Sequence, residues 1–477
     1  MKELKKSDPN SKVLAVTYVC VALFLALAVY MGYFLQVKSE DVINNPYNAR
    51  LDSFSDRIVR GSILAADGTV LAETTTDDGG NETRVYNYGS VFDHAVGYSS
   101  KGKTGIEAMA NFYLLSSHVN LVEQAGNELA GAKNLGDSVV TTLDMELQQA
   151  AYAALGDRRG AVIAMEPDTG KILAMVSKPD FDPNTIADDW DTFVSDDSDS
   201  SVLLNRATQG LYPPGSTFKI FTTLEYIHEN ADYADYHFDC SGEYTVGTKT
   251  IHCHNNKRHG SEDLKTSFAN SCNSSYASLG LTLDLEQFDD LCDQMLFNTA
   301  LPTDFESSKS SFVLEPGDSD SAVMETSIGQ GKTLVTPFHM ALIASAIAND
   351  GVLMKPYVID HITDAEGEVV EQYEPAEYKT LLSESDASVL QEYMRYVVEE
   401  GTATKLKSDS YEAAGKTGSA EFSSSSDATH SWFVGYAHNG EEPDIAVAVI
   451  VENSGVGSEY AVPIAKQIFD AYYTWEN

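Results

Sequence analysis

Three short groups of residues in this chain have the types and spacing needed for nucleophilic catalysis. Ser216 precedes Lys219 by three positions, and Ser271 and Asn273 flank a single cysteine. A lysine three positions after a serine on a helix projects from nearly the same face. Burial and the positive end of a helix lower the pKa of an amine, so Lys219 can accept a proton near neutral pH. The spacing predicts that Ser216 is a nucleophile with Lys219 as its base.

The third group is Lys416-Thr417-Gly418, followed by Ser419. We expect it on an edge strand, with the ammonium and hydroxyl groups directed at a substrate carboxylate. Gly418 permits close approach of a ligand backbone. The alternative is that Ser216 caps a helix and Lys416 is a solvated surface charge. The order and spacing of all three groups favour a single active site.

The elements that must position these groups mix helices with antiparallel strands. A rigid turn, Tyr212-Pro213-Pro214-Gly215, delivers Ser216 to the start of a predicted helix. Apolar runs and turn residues predict an α+β domain. Its predicted elements are a helix after the cap Thr142, strands 160–165 and 172–176, an acidic loop 188–201, helices 217–228 and 340–349, and strands 431–437 and 445–451.

The region from Asn45 to Gly136 is predicted to be a smaller β-rich unit. Asp67-Gly68 between apolar runs predicts a hairpin. A helix is predicted over 106–115. Residues 97–104 match a P-loop pattern, but the run before them contains charged residues rather than a buried strand, so nucleotide binding is not expected.

The membrane topology is predicted from the first 37 residues of the chain. Residues 13–37 carry no charged side chain and are long enough to cross a bilayer. A cleaved signal peptide is less favoured, because its apolar region is usually shorter. Residues 1–12 have a net charge of +2 and the residues after the span have −43, so the N-terminus is predicted to be cytoplasmic. The overall charge of −41 argues against nucleic acid as a partner.

With these motifs in place, the chain resembles the class B penicillin-binding proteins, which are monofunctional D,D-transpeptidases of bacterial cell-wall synthesis. The resemblance covers nearly the whole chain. Beyond the three groups above, it depends on segments similar to the signatures of the family: 60–64 with Asp67-Gly68 and Leu71-Ala72, 105–107, 168–175, 181–184, 329–331 with Thr336-Pro337, and 432–436.

The resemblance implies a role for each motif residue. Ser216 corresponds to the acylated nucleophile and Lys219 to its base. Ser271 and Asn273 match the motif that passes a proton to the leaving group and holds the amide of the donor. Lys416, Thr417, Gly418 and Ser419 match the carboxylate-binding strand, and the N–H groups of Ser216 and Ser419 would form an oxyanion hole. No metal or organic cofactor is implied.

The resemblance also implies the domain order and the partners. We expect a cytoplasmic tail (1–12), a transmembrane anchor (13–37), a non-catalytic pedestal (38–136) and a transpeptidase domain (137–477) with a five-stranded antiparallel sheet and an all-helical subdomain. The expected substrates are peptidoglycan stem peptides ending in D-Ala-D-Ala, and β-lactams would be covalent inhibitors. The expected partner is a membrane glycosyltransferase of the shape, elongation, division and sporulation class.

Two other functions fit the same motifs. A β-lactamase or D,D-carboxypeptidase would resolve the acyl-enzyme with water, but a secreted hydrolase needs neither anchor nor pedestal. A non-catalytic β-lactam sensor or scaffold would usually have more membrane spans or an incomplete set of motifs.

The cysteines leave several possibilities open. Cys240 and Cys253 could form a disulfide, which the exported location permits and which we favour. Together with His252, His254 and His259 they could instead bind zinc, although the spacing lacks the repeated CxxC of strong zinc motifs. The third alternative is that the cluster is structural and its cysteines are free. Cys272 and Cys292 have no evident partner in the sequence.

Overall fold

The structure, a computed structural model, describes residues 9–34, 56–195, 201–421, 429–440 and 444–475. In chain order, the helices are α1 (Pro9–Tyr33), α2 (Asp93–Val96), α3 (Gly105–Met109), α4 (Asn111–Leu114), α5 (Leu121–Ala130), α6 (Met145–Leu155), α7 (Ile186–Phe193), α8 (Lys219–Glu229), α9 (Leu264–Ala269), α10 (Asn273–Gly280), α11 (Leu285–Gln294), α12 (Asp320–Ser327), α13 (Pro337–Ala348), α14 (Glu384–Glu399) and α15 (Ala461–Trp475).

The strands are β1 (Ile58–Val59), β2 (Ile63–Leu64), β3 (Val70–Thr76), β4 (Glu82–Tyr86), β5 (Asn134–Leu135), β6 (Ser138–Thr141), β7 (Gly160–Met165), β8 (Ile172–Lys178), β9 (Phe238–Cys240), β10 (Glu243–Val246), β11 (Lys249–His252), β12 (Gly260–Glu262), β13 (Val352–Met354), β14 (Ile359–Thr363), β15 (Val369–Gln372), β16 (Glu377–Thr380), β17 (Glu412–Glu421), β18 (Thr429–His438) and β19 (Ile445–Val451). The mixture confirms the predicted α+β class.

Helix α1 contains the predicted membrane span. Its apolar stretch Val13–Tyr33 has 21 residues, which is long enough to cross a membrane. Among the described residues it is the one helix with this length and composition. The last predicted residues of the span, 35–37, lie outside the described ranges.

Residues 160–451 contain a five-stranded antiparallel sheet in the order β17-β18-β19-β7-β8. Strands β7 and β8 form the predicted hairpin, and β17, which carries Lys416, lies at the edge as predicted. Helix α13 packs behind the sheet and is buried along its whole length. It begins at Pro337 rather than Met340, because Thr336 caps it by accepting the amide of His339.

The other large sheet has six strands in the order β15-β14-β6-β2-β3-β4. The hairpin predicted at Asp67-Gly68 joins β2 and β3, with Gly68 at a φ of 83°. Strand β6 pairs in parallel with β2 and antiparallel with β14. The sheet therefore crosses the domain boundary predicted between residues 136 and 137, since β6, β14 and β15 all follow it.

A buried cluster of charges holds the pedestal strands against α3. Glu107 is fully buried and accepts hydrogen bonds from Arg60 Nε at 2.6 Å and Arg84 Nε at 2.7 Å. Burial alone would raise the pKa of Glu107, but the two guanidinium charges hold it below its usual value. Removal of one partner from such a buried pair typically costs about 3–5 kcal/mol, so these residues fix the geometry of the pedestal.

Three local predictions were wrong. The helix predicted over 106–115 is broken at Ala110 into α3 and α4. Asp144, not Thr142, caps α6 by accepting the amides of Glu146 and Leu147, because Thr142 donates its hydroxyl to the carbonyl of Ile172. The acidic loop predicted from residue 188 begins inside helix α7, whose Ile186 is buried with Tyr98 and Phe181. Residues 196–200 of that loop lie outside the described residues.

Candidate active site

Ser216 lies in a short 3-10 helix, Gly215–Phe218, that leads directly into α8. Its side chain is half-buried, whereas the residues on both sides are buried. Gly215 has a φ of 53°, and a Cβ there would lie 2.8 Å from the carbonyl oxygen of Ser419. The Gly215 amide donates to the carbonyl of Gly329 at 2.9 Å. This close packing fixes the backbone of the serine while its hydroxyl remains accessible.

Lys219 is fully buried one turn after Ser216. Its Nζ donates to the carbonyl oxygen of Ser271 at 2.8 Å, to Asn273 Oδ1 at 2.8 Å and to Ser271 Oγ at 3.2 Å. Burial lowers the pKa of Lys219 to about 8, although nearby cysteine and Glu262 charges oppose the shift. Roughly a tenth of this amine is therefore unprotonated at pH 7, and that fraction can act as a base.

Ser271 lies between α9 and α10, and Asn273, on the other side of the helix cap Cys272, is the first residue of α10. Ser271 has a φ of 55°, in the left-handed region that few side-chain-bearing residues adopt. Asn273 Nδ2 donates to the carbonyl of His252 at 3.0 Å. The turn thus presents the hydroxyl of Ser271 and the amide oxygen of Asn273 to Lys219.

Lys416 approaches the same hydroxyl from the edge strand. Its Nζ donates to Ser271 Oγ at 3.0 Å and to the carbonyl of Thr417 at 3.1 Å. Burial, followed by the charge of Lys219, lowers the pKa of Lys416 well below its usual value. A substrate carboxylate beside Lys416 would favour its charged form, so anion binding and protonation are coupled here.

Gly418 and Ser419 complete the edge of the site. A Cβ on Gly418 would lie 3.0 Å from the Pro214 carbonyl and from a methyl group of Thr217, so the strand packs closely against the serine turn. Ser419 is half-buried, and its Oγ accepts the amide of Gly457 at 3.2 Å. The structure brings the three predicted motifs together at one edge of the sheet.

Several residues that support the site were not assigned a role from the sequence. Thr402 shares a 2.6 Å hydrogen bond with the hydroxyl of Thr417, and the indole N–H of Trp432 donates to the carbonyl of Pro213 at 3.0 Å. Trp432 and Pro213 are 219 residues apart in the sequence, and no local pattern marks Thr402.

The arrangement can perform acyl transfer. It provides an accessible hydroxyl, a buried amine with a lowered pKa, and a second hydroxyl, that of Ser271, in contact with two lysines. The hydroxyl of Ser271 can accept a proton from one lysine and donate its own, so it can relay protons between them.

Two family models of known domains match this chain, one in its N-terminal part and one over most of the remainder. The penicillin binding protein transpeptidase domain matches residues 160–470, and the penicillin binding protein A dimerisation domain matches residues 60–139. The chain belongs to the penicillin-binding protein transpeptidase family. The predicted resemblance to class B penicillin-binding proteins is confirmed.

Curated relatives of this family extend over nearly the whole chain. The peptidoglycan D,D-transpeptidase PbpA of Mycolicibacterium smegmatis is 30% identical, over 94% of this chain and 96% of its own length. The peptidoglycan D,D-transpeptidase MrdA of Acinetobacter baumannii is 27% identical, over 81% of this chain and 66% of its own length. The similarity therefore includes the pedestal as well as the catalytic domain.

Solved structures of the family have the same fold. The D,D-transpeptidase domain of a peptidoglycan glycosyltransferase from Eggerthella lenta superposes with a TM-score of 0.79 at 30% identity, covering 88% of this chain and 99% of that one. Penicillin-binding protein A of Mycobacterium tuberculosis, solved as a ceftriaxone acyl-enzyme, superposes with a TM-score of 0.80 at 29% identity. The match covers 88% of this chain and 99% of that one.

The lowered pKa of Lys219 predicts the pH dependence of acylation by a β-lactam. Only the free amine accepts the serine proton, and its fraction increases as pH rises through about 8. The acylation rate constant at saturating β-lactam should therefore rise about tenfold per pH unit below pH 8 and level off above it. In Lys219→Ala the rate should be about 10³-fold lower and nearly independent of pH. A wild-type profile that is flat from pH 6 to 9 would contradict this role.

Proposed function

We propose that this chain is a serine-type peptidoglycan D,D-transpeptidase that acts through an acyl-enzyme on Ser216. The observation that carries the proposal is the contact of one hydroxyl, Ser271 Oγ, with both Lys219 and Lys416 beside the accessible serine. The names of the relatives, peptidoglycan D,D-transpeptidases, support the same reaction class.

In the first step Ser216 Oγ loses its proton to the unprotonated amine of Lys219 and attacks the carbonyl between the two terminal D-alanines. A C–O bond forms and the carbonyl becomes an oxyanion. The backbone N–H groups of Ser216 and Ser419 would stabilise that charge. Gly215 and Gly418 allow the two backbones to lie close enough to share one oxyanion.

The second half of acylation needs a proton on the leaving nitrogen. The proton taken by Lys219 can pass through the hydroxyl of Ser271 to that nitrogen, because Lys219 Nζ and Ser271 Oγ are 3.2 Å apart. The C–N bond then breaks and D-alanine leaves. An amine of a neighbouring stem peptide attacks the ester, and its proton returns by the same route as the cross-link forms.

Lys416 and Thr417 would recognise the terminal carboxylate of the donor peptide. The hydroxyl of Thr417 is oriented by Thr402, and Lys416 is buried where a carboxylate would be its strongest partner. Asn273 uses its Oδ1 for Lys219 and one amide hydrogen for His252, so its second hydrogen would hold the amide of the donor.

The proposed nucleophile can be tested by intact-mass analysis of the full chain in detergent after exposure to penicillin. The wild-type protein should gain the mass of one penicillin, and a folded Ser216→Ala protein should gain none. A stable adduct favours the transpeptidase over a β-lactamase, which would release it rapidly. Labelling of folded Ser216→Ala at the wild-type level would overturn the assignment.

The chain offers a matched control for the carboxylate-binding lysine, because Lys103-Thr104-Gly105 repeats the tripeptide of Lys416. We expect Lys416→Ala to weaken binding of carboxylate-bearing β-lactams about tenfold or more, since it removes the amine that would be charged beside a bound carboxylate. Lys103→Ala, in the pedestal, should leave the rate of acylation by these β-lactams unchanged. Second-order acylation rates of the two folded variants distinguish the sites, and an equal loss in both would contradict the choice of tripeptide.

We also propose the domain order and membrane topology stated above: tail 1–12, anchor 13–37, pedestal 38–136 and transpeptidase domain 137–477, with the catalytic domain outside the cytoplasm. The apolar helix α1 and the charge difference across it support this orientation. A monofunctional transpeptidase requires glycan strands from a polymerase. We therefore propose a membrane glycosyltransferase as its partner, contacted through α1 and the pedestal.

The partner proposal predicts that the sequence of α1 matters beyond anchoring. Small residues in α1, such as Ala22, Ala26 and Gly32, allow close packing with another membrane helix. Replacement of α1 by an unrelated transmembrane helix should therefore reduce co-purification of the glycosyltransferase while penicillin labelling persists. Unchanged association in this variant and in a pedestal deletion would contradict the proposal.

A further inference from the structure

Residues 329–331 follow helix α12 and hold one side chain, which the acyl transfer does not use, against the edge strand β17. Gln330 is half-buried, and its side-chain amide faces the backbone of Glu421, the last residue of β17. In the orientation that satisfies both groups, the amide nitrogen donates to the Glu421 carbonyl at 3.1 Å and the amide oxygen accepts the Glu421 N–H at 3.3 Å. One side chain thus makes the pair of hydrogen bonds that a residue of an added strand would make.

Strand β17 pairs with β18 along one edge and faces the active site along the other. The N–H and C=O of Glu421 point to the second edge, where Gln330 reaches both of them. The cross-strand partner of Glu421 is Thr429, whose carbonyl accepts the amide of Ser454 at 3.0 Å. In an antiparallel pair the backbone groups that face one edge belong to every second residue. Ser419 therefore directs its N–H and C=O to the same edge as Glu421.

A donor peptide in the proposed orientation would pair with this edge as an antiparallel strand. Its terminal carboxylate would lie beside Lys416 and its scissile carbonyl would accept the N–H of Ser419, so its chain runs opposite to β17. The N–H of the same donor residue would reach the carbonyl of Ser419. The next matching position on β17 is Glu421, two residues and about 6.8 Å further on. At that position an extended donor meets Gln330.

We propose that Gln330 determines how much of the donor is bound as a strand and limits main-chain pairing to the one donor residue opposite Ser419. The inference rests on the proposed function, because the register of the donor depends on the roles given to Ser216 and Ser419. The donor residue that would pair with Glu421 finds both backbone groups occupied. The donor chain therefore leaves the sheet there, and the enzyme recognises the end of the stem peptide rather than its whole length.

The backbone around Gln330 holds its side chain in this position. The amide of Gln330 donates to the carbonyl of Glu325 at 2.9 Å, which ties the segment to the end of α12. The carbonyl of Gly329 accepts the amide of Gly215, the residue before Ser216, at 2.9 Å. Gln330 is thus carried by a segment that is fixed to the serine turn, and a donor replaces it only by breaking both of its hydrogen bonds to β17.

The alternative role for Gln330 is protection of an exposed strand edge. Unpaired N–H and C=O groups at the edge of a sheet are a template for pairing with another chain, and a side chain that occupies them prevents it. If Gln330 only protected the edge, a bound donor would displace it and pair with Glu421. The two roles therefore differ in whether the wild-type enzyme uses the donor N–H at this position.

Three synthetic donors distinguish the two roles. Each ends in D-Ala-D-lactate, whose ester acylates Ser216 as the C–O bond breaks and lactate leaves. The short donor carries an acetyl group on the D-alanine, the long donor has two more residues before it, and the third is the long donor N-methylated at the first of these residues. That nitrogen would face the Glu421 carbonyl. Second-order rates of lactate release by the full chain in detergent should be equal for the two long donors in the wild type.

Replacement of Gln330 should make the edge at Glu421 available. In Gln330→Ala the rate for the long donor, relative to the short one, should increase about fivefold over the wild-type ratio, the effect of one net hydrogen bond. N-methylation should remove this gain. Gln330→Glu keeps the size of the side chain but places a carboxylate beside the Glu421 carbonyl, so its gain should be smaller. Lys332→Ala removes an exposed side chain two positions away and should match the wild type with all three donors.

A wild-type rate that falls several-fold on N-methylation would mean that the donor displaces Gln330 and would overturn the inference, and this comparison needs no variant. A Gln330→Ala protein with the wild-type ratio of long to short donor would overturn it as well. Failure of the proposed function has a different result, because the wild-type chain would then release lactate from none of the donors and gain no penicillin adduct.

Discussion

The burial of Lys219 is the constraint on which the rest of the site depends. An amine without contact to water is tolerated only when its hydrogen atoms find acceptors, and three oxygens from Ser271 and Asn273 provide them. The acceptors are neutral and not carboxylates, so burial lowers the pKa of Lys219 instead of being offset by an ion pair. The same contacts therefore stabilise the fold and make the amine a base.

Several residues around Lys219 and Ser216 adopt unusual backbone conformations. Ser271 adopts a φ of 55°, and Gly215 and Gly329 have φ values of 53° and 78°. A Cβ on Gly329 would overlap the carbonyl oxygen of Gly215, so the two turns can meet only because residue 329 is a glycine. Local strain of this kind persists where the surrounding packing determines the conformation, and here the packing holds the Ser216 turn against the edge strand.

The sequence was most informative where the determining contacts are local. The hairpin of β7 and β8, the turn at Gly68 and the strands β18 and β19 follow from apolar runs and turn residues within a few positions of one another. The sequence also predicted three groups of side chains that the structure brings together, because the residue types that such chemistry needs are few. The structure shows that Ser216, Lys219, Ser271 and Lys416 lie together.

Predictions failed where tertiary contacts outweigh local patterns. Thr142 has the side chain of a helix cap, but its hydroxyl binds the carbonyl of Ile172, a strand residue, and Asp144 takes the capping role. The contact of Thr402 with Thr417 and the pairing of β6 with β14 join segments whose proximity exists only after the sheets have formed. No pattern within a short stretch of the sequence predicts these two contacts.

Cys272 shows how one turn can serve two purposes. Its neighbours Ser271 and Asn273 contact Lys219, whereas its own sulfur contacts Cys253. The middle residue of the motif thus faces away from the reacting groups and is not constrained by the acyl transfer itself. It can therefore take part in a second cluster without altering the hydrogen bonds of the catalytic pair. In this chain its sulfur packs the turn that holds Lys219 against the segment from β9 to β12.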